Sequence, residues 1–86
     1  MKLIEKWHER TRPIRLERRF EFSSYSSTRD FLDNLGGLCE KLNLFPDISF
    51  GKTYANVTIR PQNEAPDAAL SSSDYAFAEE ISKIID

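Results

Sequence analysis

Proton-transfer chemistry near neutral pH is best served by histidine, whose unperturbed pKa is about 6.5. This chain has one, His8. It falls in an early predicted strand, where surface exposure or hairpin packing accounts for it. Glu40, Tyr54, Glu64 and Asp74 are other groups able to exchange a proton or a hydrogen bond. Glu64 would titrate near neutrality only if burial raised its pKa strongly, and its proline-flanked loop reads as exposed. Asp74 is explained by helix capping, Glu40 by an exposed helix face and Tyr54 by a cross-strand aromatic pair. Leu44 and Phe45 can neither donate nor accept a proton. One histidine with scattered acids lacks metal-ligand spacing, so no metal and no cofactor are expected.

Two other clusters bear on binding. Leu44-Phe45-Pro46-Asp47-Ile48, with Phe50, gathers apolar side chains around a chain reversal. They either fill a pocket, the reading favoured here, or form an exposed patch of the kind that marks protein-binding sites. Residues 1–19 carry seven basic side chains against three acidic ones, a local excess of +4 within a chain of net charge −2. That stretch reads first as a solvated edge hairpin; the alternative is a docking surface for an acidic protein, with Arg10, Arg12, Arg15 and Arg19, together with Phe45 and Phe50, as its candidates. Nucleic acid is not expected, because no groove-reading motif accompanies the arginines.

The elements that must position these residues follow from periodicity. Leu3 to Glu9 and Pro13 to Phe22 read as strands joined near Thr11-Arg12-Pro13. In the second, Ile14, Leu16, Phe20 and Phe22 share one face, while Arg15, Glu17, Arg19 and Glu21 take the other. Arg18 interrupts the apolar face, which suggests an edge position or an acidic partner. Ser27 or Thr28 can cap a helix whose positive end Asp30 and Asp33 would favour. Its stripe is Phe31, Leu32, Leu35, Leu38, Cys39 and Leu42. Gly36-Gly37 weaken that helix unless another backbone approaches there. The helix should end near Asn43, because Pro46 biases Phe45 toward extended geometry. Strands over Asp47–Gly51 and Thr53–Arg60 follow, then a loop from Pro61 to Leu70. Ser71 and Asp74 form a variant capping box for a last helix carrying Phe77, Ala78, Ile81, Ile84 and Ile85. The order ββαββα, with hairpins and no long crossover, predicts an α+β fold: a four-stranded antiparallel sheet with two helices on one face.

Eighty-six residues predict a single domain, residues 1–86, of limited buried core, which favours a homodimer. The apolar groups of the last helix exceed what one sheet face needs. The lone Cys39 excludes an internal disulfide and reads as a buried thiol. With no signal-peptide core and no apolar run near ~20 residues, a cytoplasmic protein without a membrane partner is expected.

From Trp7 to Ile85 the chain resembles the pterin-4a-carbinolamine dehydratase family. Its members follow a helix-ending acid with two histidines and a proline. An aromatic, a third histidine and an aspartate opening the last helix come later. Glu40, Pro46, Tyr54 and Asp74 match that pattern, whereas Leu44, Phe45 and Glu64 stand at the histidine positions. The usual tryptophan after the proline is missing, with Ile48 nearest. Arg18-Arg19-Phe20-Glu21-Phe22, Leu44-Phe45-Pro46-Asp47 and Ser49 to Ile59 are similar to a histidine-less branch of the family. That branch is encoded near alpha-carboxysome genes and acts in Rubisco assembly. The resemblance implies a non-enzymatic assembly factor or chaperone, with the Rubisco large subunit as partner and carboxysome association. A divergent active dehydratase and a dimeric coactivator-like module are the alternatives.

Overall fold

The computed structural model describes residues 6–11, 14–61 and 69–85. Six elements follow in the order β1 (His8–Thr11), β2 (Ile14–Glu21), α1 (Tyr25–Leu42), β3 (Asp47–Phe50), β4 (Tyr54–Ile59) and α2 (Ser72–Ser82). The strands form one antiparallel sheet in the order β1-β2-β4-β3, as the ββαββα pattern predicts. Register places Leu16 opposite Ile59, Arg18 opposite Val57 and Phe20 opposite Ala55. Cross-strand partners point to the same side, so these residues define the face that the helices cover.

That face is the core. Leu16, Phe20, Ala55, Val57 and Ile59 meet Phe31, Leu35 and Cys39 of α1 and Phe77, Ala78 and Ile81 of α2. Phe31 stacks on Phe20 at 4.6 Å and on Phe22 at 5.3 Å between ring centroids. Cys39 is buried, and that burial raises its thiol pKa.

Local signals set some boundaries well. Ser71 accepts from the Asp74 backbone while the Asp74 carboxylate accepts from the Ser71 backbone at 2.8 Å, a full capping box. Asn43 closes α1 in the left-handed region at φ 56°, where asparagine is tolerated, and its N–H donates to the Cys39 carbonyl.

Other boundaries differ from expectation. The first strand begins at His8 and runs through Thr11, whereas Leu3 to Glu5 lie outside the described residues. Trp7 precedes the strand because its ring is buried, edge-on to Phe20 at 6.2 Å. Helix α1 starts a turn early, capped by Ser24, whose side chain accepts from the Ser27 N–H at 3.1 Å. Thr28 is not a cap. Its hydroxyl donates to the carbonyls of Ser24 and Lys52, locking α1 to the β3–β4 turn. Asp30 and Asp33 therefore sit beyond the first turn, where the dipole contribution has faded. No atom would meet a Cβ at Gly36 or Gly37 within 4 Å, so the expected close approach of another backbone does not occur. Ile84 and Ile85 lie past the end of α2.

Arg18 interrupts the core face on a strand that lies next to the edge strand β1. The guanidinium is nearly buried, packs 4.3 Å from the Phe20 ring centre and donates from Nη1 to Ser82 Oγ at 2.7 Å. Trp7 Nε1 donates to the same oxygen at 2.9 Å. A single α2 hydroxyl thus holds the segment before β1 and the middle of β2 against the helix.

Candidate functional site

Where β4 ends and β3 begins, a cleft of about 320 Å³ opens between the end of α1 and the start of α2. Leu44, Phe45, Pro46 and Phe77 supply its apolar wall, and Asp47, Arg60 and Asp74 its charged groups. The tight turn after Asn43 carries Leu44 inward onto the core while Phe45 stays 70% exposed. The pocket-filling expectation therefore holds for Leu44 and fails for Phe45. Asp74 is buried, and one carboxylate oxygen accepts from both the N–H and the hydroxyl of Ser71. Arg60 Nε donates to Asp47 at 2.5 Å. Both carboxylates thus have donors within the fold, and no imidazole lines the cleft.

Leu44, Phe45, Pro46 and Asp74 line this cleft. Glu40 is exposed on α1 and Tyr54 stands four residues along β4 from Thr58, about 13 Å by strand rise; neither lines the cleft. Glu64 and Arg12 lie outside the described residues. Tyr54 does not make the expected aromatic pair; the Arg19 guanidinium lies 4.2 Å from its ring centre. Sequence reasoning missed Asn43 and Arg60 as cleft residues, and gave Asp47 no partner there. The Arg60–Asp47 pair could have been found from the β3–β4 register, which sets Asp47 beside Thr58.

The candidate binding residues fall on two surfaces. Ile48 pairs with Val57 and Phe50 with Ala55, so both point to the helix side, at the free edge of the sheet. They are 40% and 54% exposed and continue the surface begun by Phe45. Arg10, Arg15 and Arg19 belong to the opposite, helix-free face. Glu17 lies between the first two: Arg10 Nε donates to Oε1 at 3.0 Å and Arg15 Nε to Oε2 at 2.8 Å. These bonds, the Arg15 one foremost, hold the Glu17 carboxyl below its ordinary pKa. Arg19 reaches Glu21 at 3.6 Å. The basic stretch is thus partly neutralised by its own strand, contrary to a simple excess of positive charge. His8, at the rim of this face, is exposed. Among the described residues no group of three or more His, Cys, Asp or Glu could hold a metal ion, and no helix is long and apolar enough to cross a membrane.

The pterin 4 alpha carbinolamine dehydratase family model matches residues 1–84. The chain belongs to that family. Its fold matches a solved pterin dehydratase-like protein identified as a RuBisCO assembly factor in the alpha-carboxysome. The TM-score is 0.80 at 38% identity, over 92% of this chain and 88% of that one. A transcriptional coactivator/pterin dehydratase from Brucella melitensis matches at TM-score 0.81 and 18% identity, over 95% and 84% of the two chains, a likeness of fold alone. Among curated sequences, a protein of Rubrobacter xylanophilus provisionally named a pterin-4-alpha-carbinolamine dehydratase is 32% identical over 69 residues, 80% of this chain. One of Cupriavidus pinatubonensis, under a similar provisional name, is 31% identical over 70 residues, 81% of this chain. The chain spans 62% and 58% of the lengths of these two relatives.

Proposed function

We propose that this protein is a non-enzymatic assembly factor for Rubisco, acting on the large subunit in systems with alpha-carboxysomes. The observation that carries the reading is the 38% identity, across nearly the whole chain, to the assembly factor of known structure. The cleft supports it. Carbinolamine dehydration needs groups that give and take protons near neutral pH. Leu44 and Phe45 cannot, and Asp47 and Asp74 are held by Arg60 and by the α2 cap. In this reading the protein works as a single cytoplasmic domain that binds no cofactor and uses side-chain contacts without nucleotide.

Two surfaces serve as partner contacts: the arginine face, with Arg10, Arg15 and Arg19, and the aromatic edge, with Phe45 and Phe50; Arg12, outside the described residues, stays a candidate contact by sequence alone. They lie on opposite sides of the sheet, so a large subunit meeting both wraps around the β3 edge or uses them in turn. We further propose a homodimer. Phe77 and Ile81 are consumed in the core of one chain, so α2 leaves few surplus apolar groups for a partner. Exposed Phe45, Ile48 and Phe50 supply a better reason for further association.

Co-expression with Rubisco subunits tests the function directly. The unaltered protein should raise the yield of assembled enzyme without ATP and co-purify with the large subunit; absence of both effects overturns the assignment. Charge reversal at Arg15 and Arg19 should abolish the gain in yield while the fold persists. A strictly monomeric mass by light scattering at micromolar concentration removes the dimer. The provisional dehydratase names of the curated relatives favour one competing reading, residual catalysis. Adding a carbinolamine pterin to purified protein decides it: no acceleration is expected, and turnover lost on Glu64→Gln would establish an enzyme.

A further inference from the structure

On the helix-free face, Glu17 behaves as a ligand that the chain supplies to itself. Its two oxygens are divided between Arg10 and Arg15. A hollow of about 240 Å³ opens beside this clamp, lined by His8, Arg10, Glu17, Arg19, Asn56 and Thr58. Arg19 is held at its rim by the Tyr54 ring. We propose that this hollow receives a carboxylate side chain from an acidic protein segment, and that Glu17 is the internal competitor which the incoming carboxylate displaces. The inference rests on the reading that the arginine face contacts a partner, and it names that partner's chemistry.

The geometry supports the exchange. A guanidinium offers five N–H donors in a planar fork that matches a carboxylate. Arg10 meets Glu17 through Nε, and its side chain is 55% exposed, so it can accommodate a second acid as the first leaves. Arg19 is 52% exposed, and its stacking on Tyr54 reduces the freedom lost on binding. Asn56 and Thr58 add hydrogen-bonding side chains to the floor. Charge selects the occupant. Among the described residues, Arg10, Arg15 and Arg19 face Glu17 and Glu21, a net of one positive charge. A nucleic acid strand would meet both glutamates, whereas a single carboxylate can take the place of the Glu17 group for group.

The sign of one substitution tests this. Binding of a fluorescein-labelled oligoglutamate peptide is measured by fluorescence anisotropy at low salt. Glu17→Gln should tighten it about tenfold, equivalent to about 1.4 kcal/mol near room temperature. Arg19→Ala should weaken it, and Glu79→Gln, on α2 across the sheet, should leave it unchanged. If Glu17 only braces the arginines, Glu17→Gln weakens binding or has no effect, and the proposal fails. Equal tightening by Glu79→Gln reduces the effect to overall charge and also overturns it. Labelled oligothymidylate binding that tightens as much as the peptide's overturns the carboxylate assignment. Glu21→Gln, at an exposed neighbour of Arg19, provides a milder variant expected to tighten binding in the same direction. These measurements contain no Rubisco. A tightened peptide with no gain in Rubisco yield counts against the assembly function, and the converse counts against Glu17 as competitor.

Discussion

Arg18 and Arg19 are neighbours in the chain and lie on opposite faces of one sheet. Each guanidinium rests near an aromatic ring, at 4.3 Å from Phe20 and 4.2 Å from Tyr54 respectively. Their energetic roles differ because their surroundings do. Arg18 is nearly buried and donates to Ser82, an oxygen it shares with Trp7. Removing a partner from such a network leaves buried donors that water cannot reach, at the full cost of desolvation. Arg19 is half exposed, so water replaces whatever its contacts lose, and its charge is available to a partner. The same residue type is a structural strut on one side and a solvent-facing charge on the other.

The contrast can be broken most forcefully from the core side. Phe31→Ala removes the ring between Phe20 and Phe22 and should cost about 3–5 kcal/mol, read as a fall in the denaturation midpoint. A loss near 1 kcal/mol would mean that the helix-covered face is loosely packed. Ser82→Ala leaves the Trp7 and Arg18 donors without their shared acceptor and should cost about 2–3 kcal/mol. A neutral outcome would show that the strut is dispensable and Arg18 no different from Arg19. Gly36→Ala works in the other direction. With nothing near the new methyl group, it should stabilise by about 0.8–1 kcal/mol in thermal melts. Destabilisation there would point to a contact made only in an assembly. Arg19→Ala should change stability by less than about 0.5 kcal/mol while impairing partner binding.

Acid sharpens the same comparison from the open face. Glu17 has a folded pKa below its ordinary value of 4.5, so its contribution is present above that pH and is lost as pH falls through the folded value. Below about pH 4.5 the unaltered protein should therefore lose stability more steeply than Glu17→Gln. Parallel acid curves would show that the Arg10–Glu17–Arg15 clamp contributes nothing in solution.

Elements with local causes were legible in the chain. The alternation of β2 and the Ser71–Asp74 capping box need no distant partner, and both stand as read. The start of α1 was not legible, because Ser24, Ser27 and Thr28 are equally good caps by type. The Thr28 bond to the Lys52 carbonyl, made 24 residues away, placed the helix a turn earlier. At the cleft, the run Leu44-Phe45-Pro46 was legible as a feature. Which ring would face water was not, since that depends on the direction in which Asn43 sends the chain.

By itself the sequence determined the order of elements, the apolar faces and the family, because periodicity, caps and motif spacing act over a few residues. Only the tertiary structure decided that Glu17 bridges Arg10 and Arg15, that Arg18 is locked to Ser82, and that the arginines and phenylalanines occupy opposite sides. Those outcomes depend on strand register. Register brings together residues far apart in the chain, and burial then sets what each charge is worth.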